Sequence, residues 1–133
     1  MADMLPRLFF VHFRPTSFAA EAEGRVVAFL AGFRSQTDAA QAYVHFIGAD
    51  PAWRGIGCRS RALRAILRRG SGAGELGCSE VHGVTSPMNR GSIRFHASMG
   101  FEVLPGDAEA NGIPYVTDYD GPGESRVRLR RAL

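Results

Sequence analysis

The residues with the clearest capacity for chemistry form a glycine-rich turn that runs into a helix, PAWRGIGCRSRALRAIL at positions 51–67. Glycine lets a backbone approach a ligand closely. The first amides of a helix and the positive end of its dipole attract anions. Six arginines fall between Arg54 and Arg69, and the guanidinium fork matches phosphate oxygens. The stretch therefore predicts either a phosphate-binding turn or a solvated, arginine-rich helix face.

Three kinds of phosphate-binding turn make different demands on this stretch. A P-loop requires Gly-Lys-Ser/Thr, and the chain contains no lysine, which excludes it. A dinucleotide-binding turn needs GxGxxG, whereas Gly55 and Gly57 are followed by Ser60 where the third glycine belongs. The remaining pattern, Arg-x-x-Gly-x-small after an interrupted strand, fits Arg54 and Gly57 and leaves Arg59 at the small-residue position.

The elements that must position this turn are predicted to alternate between strands and helices. In the first half, the sequence predicts a strand or a helix end at 8–13, two strands about Glu23-Gly24 at 17–35, a strand at 42–50, and a helix from Cys58 to Arg69 that is ended by 70–74. In the second half, it predicts a strand at 79–86 and then a helix that is capped by Asn89 or Ser92, runs to Met99 and ends at Gly100. A strand at 101–104, a polar loop at 105–124 and a strand at 126–133 complete the chain. This order predicts an α/β protein with a single domain over 1–133.

Composition and charge narrow the class of protein. The chain has 133 residues, of which 45% are hydrophobic, and a net charge of +3, which is typical of a globular protein. A basic stripe with interleaved aromatics is missing, which argues against a nucleic-acid partner. No apolar run approaches the roughly 18 residues of a membrane helix. The first ten residues lack a signal-peptide plan, so a cytoplasmic location is expected. Cys58 and Cys78 do not form a metal-binding pair.

Two blocks of the sequence together resemble the GNAT superfamily of acetyl-CoA-dependent N-acetyltransferases. They are HFIGADPAWRGIG and, about 30 residues on, TSPMNRGSIRFHASMGFEV; the matching positions are Arg54, Gly57, Asn89, Phe95, His96, Gly100 and Phe101. The stretch DYDGPGESRV is similar to that of uncharacterised bacterial members, and the resemblance covers roughly 8–133. It implies an α/β (α+β) fold with a mixed, mainly antiparallel sheet, flanking helices and a splayed central strand.

The resemblance also implies which residues would contact acetyl-CoA. Ile47, Gly48 and Ala49 would pair with the pantetheine arm, Asn89 would hydrogen-bond it, and Ser92 and Phe95 would lie beside it. The pyrophosphate would be wrapped by Arg54, Gly55, Ile56, Gly57, Cys58, Arg59 and Ser60. Arg59 departs from the family pattern. Either its side chain obstructs the pyrophosphate, or the turn holds one extra residue, so that Ser60 is the small residue and Arg59 clamps a phosphate.

The front of the chain also departs from the family, whose members usually carry a further strand and two helices there. Three interpretations are open: a truncated start, coverage by a partner subunit, or an unusually open acceptor side. An exposed sheet edge favours pairing, so a homodimer is the expectation.

Two histidines are candidates for the acid–base chemistry that the resemblance implies. His45, nine residues before Arg54, lies where the serotonin N-acetyltransferase branch has a histidine used in proton removal, and Tyr43 would extend a proton relay. His96 fills the position of the tyrosine that protonates the departing thiolate. Packing is the competing interpretation for both. Tyr115 and Tyr119 are alternative donors, and no metal is expected.

The predicted function is transfer of an acetyl group from acetyl-CoA to a primary amine acceptor by direct attack. The acceptor itself stays open, because a small amine, an antibiotic-like amine, an amino acid and a protein N-terminus all fit. The alternative is a non-catalytic acyl-CoA-binding sensor or partner subunit.

Overall fold

The computed structural model describes residues 7–49 and 77–133, in two compact units. The first unit comprises the described residues up to Val81 together with Leu133, and the second runs from His82 to Ala132. The prediction of a single domain over 1–133 stays a prediction.

The first unit contains a helix, a 3₁₀ turn and three strands. They are α1 (Leu8–His12), the 3₁₀ turn Arg14–Thr16, β1 (Phe18–Ala22), β2 (Arg25–Arg34) and β3 (Gln41–Ala49). β1 and β3 both pair with β2 in the antiparallel sense, so β2 is the middle strand of the three. The strands predicted at 17–35 and 42–50 are thus confirmed.

A two-residue turn joins β1 to β2. Glu23 and Gly24 have φ of +53° and +78°, and two successive positive φ angles are the signature of a type I′ turn, whose twist suits a hairpin. The predicted turn at this dipeptide is therefore confirmed. β2 is buried on both faces over Val27, Ala28, Leu30 and Ala31, each at most 3% exposed, which makes it the core of this unit.

The chain start is a helix rather than a strand. Phe9 and Phe13 are four residues apart, so they share one helix face, and their ring centroids are 5.4 Å apart. Phe9 is buried and Phe13 caps the helix end, where its N–H donates to the carbonyl of Phe9 at 3.1 Å. Of the two interpretations of 8–13, the helix end is the correct one.

The second unit contains the remaining described elements. The first of them, a strand, begins at Glu80, two residues before the unit itself begins at His82. They are β4 (Glu80–Thr85), α2 (Arg90–Ser98), β5 (Glu102–Val103), β6 (Ala108–Ala110), β7 (Ile113–Tyr115) and β8 (Val127–Ala132). β5 pairs with β8, and β6 with β7, both in the antiparallel sense. Alternate residues of β8 are buried, with Val127 and Leu129 at most 1% exposed, while Arg130 forms an ion pair with Glu102 at 2.7 Å.

The segment 105–124 corrects one prediction, because it is not all loop. β6 and β7 form a short hairpin around Asn111 and Gly112, with φ of +52° and +80°. This is again a type I′ turn, for which Asn-Gly is the preferred dipeptide. The hairpin lies between β5 and β8 in the chain. Mixed α/β structure with antiparallel pairing agrees with the predicted fold class.

Candidate active site

The three residues predicted to pair with the pantetheine arm lie at the carboxyl end of β3. Ile47, Gly48 and Ala49 pair there with Leu30, Phe29 and Ala28 of β2. A Cβ atom on Gly48 would come within 2.9 Å of the Phe29 ring, and this ring stacks on that of Phe46 at 5.4 Å. A larger residue at this position would therefore have to displace the Phe29 ring, apart from any effect on a ligand.

β3 carries a bulge at the candidate base. Ala31 pairs with Phe46 and the next residue, Gly32, pairs with Val44, so His45 is the extra residue on β3. A bulge breaks the alternation of side chains, redirects one of them and is common next to active sites. The strand therefore presents His45 differently from a regular strand residue, and its side chain is exposed.

Two hydroxyl groups stabilise the strand opposite the bulge. Thr16 Oγ1 donates to the carbonyl of Gly32 at 2.7 Å, and Ser17 Oγ accepts from the N–H of Gly32 and donates to its carbonyl, each at 3.2 Å. β1 begins only at Phe18, after the 3₁₀ turn that contains Pro15. The hydroxyls therefore supply the bonds that a longer β1 would have made to Gly32, and both residues are buried.

The imidazole of His45 lies against an aromatic ring of α1. Its centroid is 4.9 Å from that of Phe9, and the two planes differ by 9°. Phe9 contacts Phe13, Phe13 contacts Phe33, and Phe33 stacks on Tyr43 at 5.3 Å. Tyr43 is thus at the far end of a chain of rings whose middle members carry no proton-transferring group, and the relay stays a prediction.

The start of α2 groups the other predicted contacts. Asn89 Oδ1 accepts from the N–H of Ser92 at 3.0 Å, which confirms Asn89 as the N-cap. Capping uses only the oxygen of this exposed side chain, so its amide N–H groups remain the part suited to a ligand carbonyl. The helix ends at Ser98, with Met99 as C-cap and Gly100 at φ +88°, the geometry predicted for a glycine at this end.

His96 lies one turn after Ser92, inside the second unit. It is 5% exposed, and its ring meets those of Phe95 and Phe101 edge to face at 5.3 and 5.2 Å. Nδ1 is 2.8 Å from the carbonyl of Ser92. A carbonyl oxygen only accepts, so Nδ1 carries the hydrogen. Donation to a thiolate would therefore come from Nε2, which bears a hydrogen only in the doubly protonated ring.

Acidic residues of the loop before β8 are engaged in structure. Arg126 bridges Asp120 at 2.9 Å and Glu124 at 2.8 Å, and Asp118 Oδ1 accepts from the N–H of Gly123. These contacts fold the loop on itself and satisfy much of its negative charge. Attraction of a cationic acceptor by these carboxylates thus competes with internal ion pairs.

The predicted pyrophosphate turn, Arg54 to Ser60, and the question about Arg59 lie outside the described residues. Within 7–49 and 77–133, no group of three or more His, Cys, Asp and Glu side chains is arranged to hold a metal ion. No helix in the part of the chain described here is long and apolar enough to cross a membrane.

Sequence reasoning missed Phe9, Thr16 and Ser17, all of which precede the matched blocks. The available signals were the i, i+4 spacing of Phe9 and Phe13 and the Pro-Thr-Ser triplet before β1. Neither signal indicates its partner, because both partners lie on later strands.

Comparison with known proteins identifies the family of the chain. Residues 2–101 match the acetyltransferase (GNAT) family. No curated protein matches the chain at a significant level.

Three solved structures of similar fold illustrate the likeness, each at low sequence identity. Ard1 from Thermoplasma volcanium has a TM-score of 0.76 at 18% identity, covering 94% of this chain and 75% of Ard1. Naa50 from Arabidopsis thaliana, in complex with the bisubstrate analogue CoA-Ac-MVNAL, has 0.69 at 18%, covering 90% and 74%. The ribosomal-protein-S18-alanine N-acetyltransferase from Escherichia coli has 0.65 at 16%, covering 92% and 75%. At these identities the likeness shows the fold.

Proposed function

Because the chain belongs to the GNAT family of acetyltransferases, whose acetyl donor is acetyl-CoA, we propose that it acetylates a primary amine by direct transfer, with His45 as the base. In this reaction the amine nitrogen attacks the thioester carbonyl, the C–S bond breaks, and CoA leaves as a thiol. The acceptor nitrogen loses one proton, and the departing sulfur gains one.

The observation that carries the proposal is the placement of His45. It is an exposed imidazole on a β-bulge, nine residues before Arg54 of the matched turn. No hydrogen bond joins its ring to another residue in the described part of the chain. Histidine is the side chain most often used as a general base.

Other residues have supporting roles in the proposal. Backbone groups at Ile47, Gly48 and Ala49 would pair with the pantetheine arm, and the amide of Asn89 would donate to it. Phe95, half-buried on α2, would pack along the arm. His96 would supply the proton to sulfur from Nε2 when its ring is doubly protonated, which makes it the less direct of the two histidines.

We also propose that the acceptor is the N-terminal amine of a peptide or protein. The similar Escherichia coli enzyme is by name an alanine N-acetyltransferase of a ribosomal protein, and the analogue bound to the Arabidopsis protein joins CoA to the peptide sequence MVNAL. Small amines and antibiotic-like amines form the other arms of the test.

An acceptor screen with acetyl-CoA tests the proposed function. The panel pairs a short peptide that has a free α-amine with the same peptide already N-acetylated, beside an arylalkylamine and an aminoglycoside. Thiol release and a mass increase of one acetyl group are expected for at least one free amine and not for the blocked peptide.

Two failures would have different meanings. If acetyl-CoA raises the melting temperature but no amine is acetylated, the chain is a binding protein of the kind the alternative describes. If millimolar acetyl-CoA leaves the melting temperature unchanged, both the enzyme and the sensor are excluded.

A further inference from the structure

The side chain of His45 needs a restraint that β3 itself does not provide. As the extra residue of the bulge, it has no directly opposed partner on β2, and cross-strand partners are what normally hold an exposed strand side chain. The contact recorded for its ring in the described part of the chain is the stack on Phe9, at 4.9 Å and 9°.

Phe9 is well placed to act as that restraint, because it is itself fixed. Its side chain is 8% exposed. Its ring touches that of Phe13, which in turn touches Phe33 of β2 at 5.9 Å. α1 is thereby attached to the same strands from which His45 projects, so the relative position of the two rings is set within one unit.

We propose that Phe9 is a positioning residue for His45: its ring covers one face of the imidazole and limits rotation about the Cβ–Cγ bond. The imidazole is thereby held in one plane, parallel to the Phe9 ring. A general base must come within about 2.6–3.2 Å of the proton it removes, and a misplacement of about 1 Å costs on the order of 100-fold in rate. This inference rests on the proposed role of His45 as the base.

A purely structural role for Phe9 makes a different prediction. As a buried anchor of α1, Phe9 would then affect the free energy of unfolding and leave turnover per folded molecule unchanged. Phe13 offers the matched control. It belongs to the same segment, has the same ring and packs against Phe9 and Phe33, and no ring contact between Phe13 and His45 is recorded in the described residues.

Kinetics of five variants separate the two roles. Phe9→Leu is expected to lower kcat about 10- to 100-fold with little change in KM for acetyl-CoA, and Phe9→Trp, which keeps a flat ring, to recover most of it. Phe13→Leu, which keeps an apolar side chain beside Phe9 and leaves the Phe9–His45 stack in place, is expected to lower kcat much less than Phe9→Leu does. In the His45→Ala background, Phe9→Leu should cause no further loss of kcat, because its effect passes through the imidazole. An equal loss in both backgrounds would overturn the proposal.

A nuclear magnetic resonance measurement tests the same inference without any acceptor. Stacking on Phe9 should shift the ring-proton signals of His45 upfield, and these signals are assigned by their disappearance in His45→Ala. Phe9→Leu should move them toward the positions of a solvent-exposed histidine, while Phe9→Trp and Phe13→Leu should keep the upfield shift. Unchanged His45 signals in folded Phe9→Leu would refute the positioning role.

The two readouts keep this inference distinct from the proposed function. If the His45 signals move as expected but no amine is acetylated, the stack is real and the enzymatic proposal fails. If amines are acetylated and His45→Ala lowers kcat, while Phe9→Leu leaves kcat unchanged, the positioning proposal fails alone. Should Phe9→Leu not fold, Phe9→Met, whose unbranched side chain adapts more easily to the space left by the ring, takes its place in both measurements.

Discussion

Replacing Ser17 with alanine removes the hydroxyl that accepts from the N–H of Gly32 at 3.2 Å. Both residues are buried, so the N–H of Gly32 loses its partner where water does not readily replace it. Leaving a buried donor unsatisfied costs about 1–3 kcal/mol. Thr16→Val should cost less, about 0.5–1.5 kcal/mol, because the Gly32 carbonyl still accepts from Ser17 Oγ at 3.2 Å.

Chemical denaturation followed by circular dichroism measures these losses in the free energy of unfolding. Ser98→Ala is the matched control, since its hydroxyl donates to the carbonyl of Phe95 at the exposed end of α2, and a change within about 0.5 kcal/mol is expected. The double variant Thr16→Val/Ser17→Ala should lose more than the sum of the singles, because neither polar group of Gly32 then has a hydroxyl partner. A Ser17→Ala loss no larger than that of Ser98→Ala would refute the role of these hydroxyls at the bulge.

Three further predictions concern other parts of the chain. Gly106→Ala should cost more than about 2 kcal/mol, because its Cβ would overlap the backbone of the last residue of β7; Gly91→Ala, whose Cβ meets only ordinary contacts, is the control in the same denaturation assay, and equal losses would contradict the overlap. The backbone N–H and the hydroxyl of Thr117 lower the pKa of Asp107 below its ordinary 3.8. The Asp107 carboxylate therefore stabilises the fold at pH values above 3.8, and this stability is lost as pH falls through the folded pKa. Asp107→Asn should accordingly reduce the dependence of the denaturation midpoint on pH below about 4. An unchanged pH dependence would contradict a lowered pKa of Asp107. Burial raises the pKa of Cys78 despite a nearby arginine, so in a Cys58→Ser variant a thiol reagent at neutral pH should react much faster after unfolding, and equal rates would contradict a buried thiol.

The sequence alone predicts those structural features that depend on neighbouring residues. Glu23-Gly24 predicts a tight turn between apolar runs, and Asn89 and Gly100 bracket a helix with a side-chain cap and a left-handed end. Each of these features depends on residues within about four positions of one another. Such patterns predicted the strands of the first unit and the helix α2.

Other features depend on partners distant in the chain. In AYVHFIGA nothing marks His45 as the extra residue, because the bulge follows from how β3 pairs with β2 and from hydroxyls that bind Gly32 from before β1. The hairpin at Asn111-Gly112 is a different case. Its turn signal was present, but strands of three residues containing Ala, Glu and Pro have little β propensity.

The most direct test of the central claim measures N-acetylated product formed by the wild-type chain and by His45→Ala with the best amine of the screen, at saturating acetyl-CoA. We expect a loss in kcat of about 100- to 10,000-fold, the usual contribution of a general base, with unchanged affinity for acetyl-CoA. Equal kcat values for the two proteins would show that His45 is not the base.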